Sequence, residues 1–339
     1  MRSQLVGSSA PEDMWDASVE SPPGRAEASM RAPPLRAVAP MLSIVVDNAS
    51  SDDTLGVVRE LAPEALVVET GRNAGFAAGA NAGARAARGD LLLFLNPDAT
   101  PGPGFLDAIR APREEWSAWQ GLVTADSGRA VNTSGGVVHF TGIAWAGQSP
   151  ERGAREVAFV SGACLAVPRA VWDRAGGFSE PFFMYQEDVD LSLRLRLAGG
   201  RLGVEPAAIV DHDYEFAKGA AKWRLLERNR WATIIRTYPG ALLLAVGPAL
   251  LATELALLVV ATAGGWLPQK LAAAADTARA LPRLLRERRE VQATRTVSVT
   301  EFAAALTPDL DSTFLGRAGR SSLLNAALRA YWRIVLAVL

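Results

Sequence analysis

Cysteine is nearly absent: Cys164 is the only one in 339 residues. That excludes a disulfide framework and a cysteine-based zinc site, and it fits a reducing compartment. Lysine is almost as scarce, with Lys218, Lys222 and Lys270 alone, and the histidines are His139 and His212. Neither sign of charge dominates: 35 Lys plus Arg stand against 36 Asp plus Glu, a net of −1. A polyanion binder carries a marked basic excess, so nucleic acid is excluded as a principal partner. Residues 1–40 lack any period of 2 or 3.6 and hold Pro11, Pro22, Pro23, Pro33, Pro34 and Pro40. No apolar run follows Arg2, so they read as a disordered or non-homologous segment without a secretory signal.

What is present is a packable chain, 49% hydrophobic and 21% charged. Leu42–Val46 is a short apolar run ending in Asp47-Asn48-Ala49-Ser50-Ser51-Asp52, which is turn and capping chemistry. A helix is expected over 54–61, a strand over 65–69, a loop over 71–75 and a helix rich in small residues over 76–88. Leu91–Leu95 has the composition of a fully buried strand and ends at Asn96-Pro97-Asp98. This alternation is the βαβ pattern, so the fold class is α/β with a mostly parallel, Rossmann-like sheet. Ligands of such sheets bind beyond the carboxyl ends of the strands, where Asp47 and Asp98 fall. The glycines of 119–147 suggest hairpins. Strands over 156–167, a helix over 168–175, a helix over 187–198, short strands near 202–204 and 208–211, and a helix over 222–238 complete this part.

Five groups of residues carry chemical interest. A carboxylate at Asp47 can accept from a ribose hydroxyl or a base N–H, and the same stretch is also ordinary helix-capping chemistry. Asn73-Ala74-Gly75-Phe76 opens a helix, where a glycine permits close backbone approach and the helix terminus favours a phosphate. Asn96-Pro97-Asp98 offers a hard carboxylate at a strand end, suited to a divalent cation, and is equally good turn chemistry. Glu187-Asp188-Val189-Asp190 complements a helix dipole, and Asp188 in a cleft would serve as a general base. His212 ends a strand and can ligate Mn or a similar ion.

The ordered set resembles the family 2 glycosyltransferases, closest to their bacterial rhamnosyltransferase-like branch. It consists of Val45-Val46-Asp47-Asn48-Ala49-Ser50-Ser51-Asp52, Asn73-Ala74-Gly75-Phe76, Asn96-Pro97-Asp98-Ala99, Gly162-Ala163, Gly176-Gly177-Phe178 and Glu187-Asp188-Val189-Asp190-Leu191. The resemblance implies a GT-A fold over 41–238, a nucleotide-sugar donor, a divalent metal (Mn or Mg) and inversion at the anomeric carbon. It implies donor contacts at Asp47, Asn48, Asn73, Gly75, Asn96 and Asp98, and acceptor contacts at Gly162 and Ala163. Asp188 would be the catalytic base with Glu187 beside it, and Asp98 and His212 would hold the metal. Glu227-Arg228-Asn229-Arg230, also typical of the branch, is expected to be structural or to close the cleft. Two departures stand out. The family's opening strand has no counterpart in residues 1–40, and Phe178-Ser179-Glu180 replaces the usual Phe-Asp-Glu.

Residues 239–339 form a separate apolar and basic helical region. Ala241–Ala263 is long enough to cross a bilayer, with Glu254 as its one charge. Glu254 would cost about 2.5–3.5 kcal/mol at the bilayer centre. Pro282–Thr296 sets Arg283, Arg286, Arg288, Arg289 and Arg295 against Glu287 and Glu290. Helices lying on the cytoplasmic leaflet fit this better than a span. The expectation is therefore an inverting glycosyltransferase at the inner face of the cell membrane. It would move a sugar, rhamnose or another deoxyhexose, onto a glycan or lipid-linked acceptor. The alternative is a catalytically impaired relative acting as a membrane-associated binding or scaffold protein.

Overall fold

The computed structural model describes residues 41–111, 115–148, 154–212, 219–311 and 321–339. The expectations for residues 1–40 fall outside these. The chain runs β1 (Ile44–Asp47), α1 (Thr54–Leu61), β2 (Leu66–Glu69), α2 (Gly75–Ala86), β3 (Leu91–Leu95), β4 (Ala99–Pro101) and α3 (Phe105–Ile109). It continues through β5 (Ala118–Ala125), β6 (Ala130–Thr133), β7 (Gly136–Val138), β8 (Ala144–Ala146), β9 (Arg155–Glu156), β10 (Cys164–Pro168), α4 (Arg169–Ala175), α5 (Glu187–Leu197) and β11 (Leu202–His212). Helices α6 (Ala221–Thr237), α7 (Gly240–Ala263), α8 (Leu267–Ala293), α9 (Val299–Ala303) and α10 (Ser322–Val338) follow.

The main sheet has the order β3-β10-β5-β11-β4, with β6 beside β5 and β9 beside β11. Strands β3, β5 and β11 share one direction, and β10 runs antiparallel between β3 and β5. The expected parallel character thus holds for these three strands and for the β1–β2 pair, while β10 and β4 reverse it. Val, Ile and Leu supply the strands because a β-branched or apolar side chain suits a pleated, covered surface. One face is covered by α2, α4 and α5 through Ala77, Ala84, Trp172, Leu191 and Leu195. The other carries Phe105, Ile109, Trp116 and Trp119. Cys164 lies in that second core, where burial pushes its thiol up to about 11 and keeps it unreactive.

One burial expectation is corrected. Leu91–Leu95 reads as fully buried, yet only Leu92 is, and Leu95 is 37% exposed. The reason is the strand's position: among the described residues β3 pairs with β10 alone, and β1 and β2 form a two-stranded sheet of their own. An edge strand loses the neighbour that would cover it.

The C-terminal helices share a core with the rest of the chain. Val138, Phe140, Val189 and Leu193 pack with Leu242, Val246, Leu250, Phe302, Trp332 and Val335. Helix α8 begins 15 residues before the expected Pro282. Its alanine-rich first half favours helix, and Ala273, Asp276 and Ala280 are buried. Its second half closes the end of α6: Arg288 donates to the carbonyls of Ile235 and Tyr238, and Gln292 to those of Arg236 and Thr237. These are among the carbonyls a helix end leaves unpaired. Along α7, Leu242, Val246, Leu250 and Ala261 face the protein, while Leu244, Leu251, Leu255 and Val259 are 58–82% exposed. Glu254 also faces inward. It meets Arg230 of α6, Lys270 of α8 at 2.6 Å and the Trp231 indole N–H at 3.2 Å.

Candidate active site

Strand register brings the distant motifs together. Cys164 pairs with Leu95, so the turn before β10 meets the end of β3, and Asn96 N–H donates to Ala163 O at 3.1 Å. His212 pairs with Ala99, which sets the imidazole beside Asp98. His212 Nε2 lies 2.9 Å from Asp98 Oδ1 and 3.3 Å from the Asn96 side-chain nitrogen. Gly162 is the hinge of the group. Its N–H donates to Asp188 Oδ2 at 3.1 Å, and a β-carbon there would meet the Phe76 ring at 3.1 Å. The contacts form one line from Asp188 through Gly162 and Ala163 to Asn96, His212 and Asp98.

Asp188 and Glu187 open α5. Burial raises the Asp188 carboxyl above its ordinary value of 3.8, against the N–H groups of Gly162 and Val189, which lower it. Glu187 is pushed well above its ordinary range by burial and then by the adjacent Asp188 charge. Glu187 Oε2 and Gln186 Oε1 are buried with no hydrogen-bond partner. The third carboxylate, Asp190, is fully buried and structural: it pairs with Arg194 and Arg236 at 2.8 Å each.

Asp47 and its loop form a second group. Asp47 is 6% exposed and its carboxylate accepts from Ser50 N–H at 3.1 Å, a turn closed at the end of β1. Asn48 is engaged locally: its amide donates to Gly75 O at 3.0 Å, and its oxygen accepts from Ala74 N–H and the Thr70 hydroxyl. The Asn73 oxygen accepts from Gly75 N–H at 3.1 Å. The amides of Asn48 and Asn73 therefore shape the loop. The first turn of α2 is also occupied, because Ala77 N–H donates to Phe183 O at 3.2 Å.

Sequence reasoning missed the segment that joins the two groups. Phe183, Tyr185 and Gln186 all have positive φ, of 64°, 70° and 65°. Outside glycine this conformation costs on the order of 1–2 kcal/mol per residue. It is held by the buried Arg228 and Asn229 of α6. The expectation that Glu227-Arg228-Asn229-Arg230 is structural or closes the cleft named the two residues without the segment they hold. The local signal is four polar residues within one helical turn, too many to share one wet face.

Two family models match the chain. The model for glycosyl transferase family 2 covers residues 43–120, and that for glycosyl transferase family group 2 covers residues 93–277, more than half of the chain. N-acetylglucosaminyl-diphospho-decaprenol L-rhamnosyltransferase of Mycobacterium tuberculosis is 30% identical over 212 residues, which is 53% of this chain and 69% of that protein. The chain belongs to glycosyltransferase family 2. Rhamnosyltransferase WbbL of Escherichia coli K12 is 36% identical over 80 residues, 22% of this chain and 30% of that one. A solved mannosyltransferase from Pyrobaculum calidifontis, in complex with GDP-Man and Mn2+, is 21% identical with a TM-score of 0.41, over 78% of this chain and 76% of that one.

This chain is accordingly a glycosyltransferase, using a nucleotide-sugar donor on a GT-A-like α/β scaffold. Its residues fit a divalent cation. The Asp98 carboxylate and His212 imidazole stand together, and Asn96 Oδ1 beside them is buried without a partner. No group of three or more His, Cys, Asp or Glu side chains gathers among the described residues. A cation here would need oxygens from elsewhere, which is how a diphosphate shares a metal.

Proposed function

We propose that this glycosyltransferase inverts the anomeric centre, with Asp188 as the base and the Asn96–Asp98–His212 corner as the seat of the donor diphosphate. The observation that carries this reading is the line of contacts from Asp188 through Gly162 and Ala163 to Asn96, His212 and Asp98. The acceptor hydroxyl gives its proton to the Asp188 carboxylate as its oxygen bonds to the anomeric carbon. The bond from that carbon to the diphosphate breaks, and the electron pair leaves with the nucleoside diphosphate. Asp188 suits the task because it is half-buried and its carboxyl is raised, so it accepts a proton more readily than an ordinary aspartate. Asp98, His212 and Asn96 would hold Mn or Mg. That ion supplies charge neutralisation of the leaving diphosphate. Asp47 would accept from the nucleoside, with the loop closed by Asn48, Asn73 and Gly75 shaping that end of the pocket. Gly162 and Ala163 would border the acceptor.

The sugar is a deoxyhexose such as rhamnose and the acceptor a lipid-linked glycan, a reading supported by the rhamnosyltransferase relatives. The site of action is the cytoplasmic membrane surface. Helix α7 supports this with exposed Leu244, Leu251, Leu255 and Val259, which recur at spacings of seven, four and four along one face. Its Glu254 turns toward Arg230 and Lys270, so α7 lies along the protein and offers that face to lipid in the plane of the leaflet.

The deciding experiment measures donor binding and slow donor hydrolysis across a panel of nucleotide sugars, with and without Mn. Binding that needs Mn and is lost in Asp98→Asn, with hydrolysis lost in Asp188→Asn, supports the reading. Binding without turnover under every condition would instead support a binding or scaffold role.

A further inference from the structure

The segment before the base is conformationally costly and is clamped from both sides. Phe183, Tyr185 and Gln186, all with positive φ, lead directly into Glu187-Asp188. From one side α2 takes hold of it, through Ala77 N–H on Phe183 O and through Gly75, which abuts the same residue. From the other side comes α6. The Asn229 side-chain N–H groups reach three carbonyls of the segment, Phe182 O at 2.9 Å, Met184 O at 2.9 Å and Tyr185 O at 2.7 Å. Arg228 donates to Pro181 O at 3.1 Å and Phe182 O at 2.8 Å, and its Nε donates to Asn229 Oδ1 at 2.9 Å. Asn229 is 1% and Arg228 5% exposed.

The flanking residues of the same helix face elsewhere. Glu227 and Arg230 pair with each other at 3.0 Å and join Glu254 of α7 and Lys270 of α8. Four successive residues thus divide into two pairs. The outer pair fixes α6 to the C-terminal helices, and the inner pair fixes the segment that carries Asp188.

We infer that Arg228 and Asn229 are positioning residues for the glycosyl-transfer step, holding Phe183, Tyr185 and Gln186 at positive φ so that Asp188 stays against Gly162. The inference rests on the reading of Asp188 as the base. Met184 O and Tyr185 O accept from Asn229, and Arg228 shares Phe182 O with it, so removing the amide leaves the later half of the segment without this hold.

Asn229→Ala tests it in the full-length protein. The expected result is a fall in kcat of about tenfold or more with the donor KM within about twofold, the pattern of an interaction felt in the transition state. The acidic limb of the kcat/KM profile should also move to lower pH, because a loosened segment lets water reach Asp188 and relieves the burial that raises its carboxyl. An unchanged kcat overturns the inference. So does a rise in KM that accounts for the whole loss while the acidic limb stays in place, as general loosening of the fold would give. If Asn229→Ala does not fold, Arg228→Lys is measured in the same way, since it keeps the charge and loses the planar guanidinium whose Nη2 serves two carbonyls while its Nε holds Asn229. Asp188→Asn is run in parallel. If Asp188→Asn keeps wild-type activity, the base assignment fails. If Asp188→Asn is inactive and Asn229→Ala behaves as wild type, the base assignment stands and the positioning role fails.

Discussion

Gly75 is in contact with Phe183 across 108 residues of chain: a β-carbon at position 75 would lie 2.4 Å from the Phe183 carbonyl oxygen. The glycine that reads as an opening for a ligand is also the point where the loop after β2 meets the segment leading to Asp188. Gly75 also has φ of 82°, which disfavours any side chain.

Gly75→Ala is therefore expected to destabilise the fold by roughly 1–3 kcal/mol, the scale of a strained backbone position. Urea unfolding followed by circular dichroism measures it. A midpoint equal to wild type would show that the two loops are not in contact.

Asp188→Asn should lower kcat by about 10²–10⁴-fold, the usual contribution of a general base. With Asp188 as the proposed base, activity in the wild type would require the ionised carboxylate. Because the Asp188 carboxyl is raised by burial, activity should be lost on acidification at a pH above the ordinary aspartate value of 3.8. A kcat/KM profile between pH 4 and 8 locates that limb. A flat profile down to the ordinary value would contradict the assignment.

Glu187 makes a separate statement about stability. Its carboxyl is raised in the folded chain, so the folded state holds that proton more tightly than the unfolded state. Stability from this group is complete below the unfolded carboxyl value of 4.5 and falls away as pH rises through the raised folded value. Glu187→Gln removes the group that must ionise. Its melting temperature relative to wild type should rise from pH 5 to pH 8, and a difference independent of pH would refute the account.

His212→Ala should weaken Mn-dependent donor binding while leaving Mn-independent nucleotide binding in place, since Asp47 and its loop lie in a different group of contacts. Calorimetry with and without Mn separates the two. Equal loss in both arms would place His212 in the fold and outside the diphosphate corner.

Leu251→Glu combined with Leu255→Glu puts two charges on the exposed face of α7. Flotation with vesicles containing anionic phospholipid should be lost, while thermal stability and hydrolysis of soluble donor remain. Each leucine contributes roughly 1.5–3 kcal/mol when buried, so two are enough to decide the partition. Retained flotation would move lipid contact to another surface.

Much of this architecture is legible in the residues. The alternation from Leu42 to Leu95 yields β1 to β3, and the helix expected over 187–198 is α5. Asp98 meets His212 because the start of the antiparallel β4 pairs with the end of β11. Other features are not written locally. The exposure of β3 depends on which strands lie beside it, and neighbours across a sheet leave no mark on the strand itself. The first half of α8 was hidden by Pro282, which reads as a start and sits within a helix that tertiary contacts hold on both sides of it. The left-handed run at Phe183, Tyr185 and Gln186 lacks glycine, so no residue announces it. Only the carbonyls it turns toward Asn229 explain why it persists.

Strand β1 has one partner strand among the described residues, and α1 beside it buries none of its side chains. That corner has little to keep it closed, so it is the natural unit to open while the remainder stays folded. Amide hydrogen exchange in residues 44–69 should then report a local equilibrium of its own, faster than that of β5 or β10. A nucleotide resting on Asp47 would slow exchange in this corner first, so these weakly protected amides would also be a direct reporter of donor occupancy.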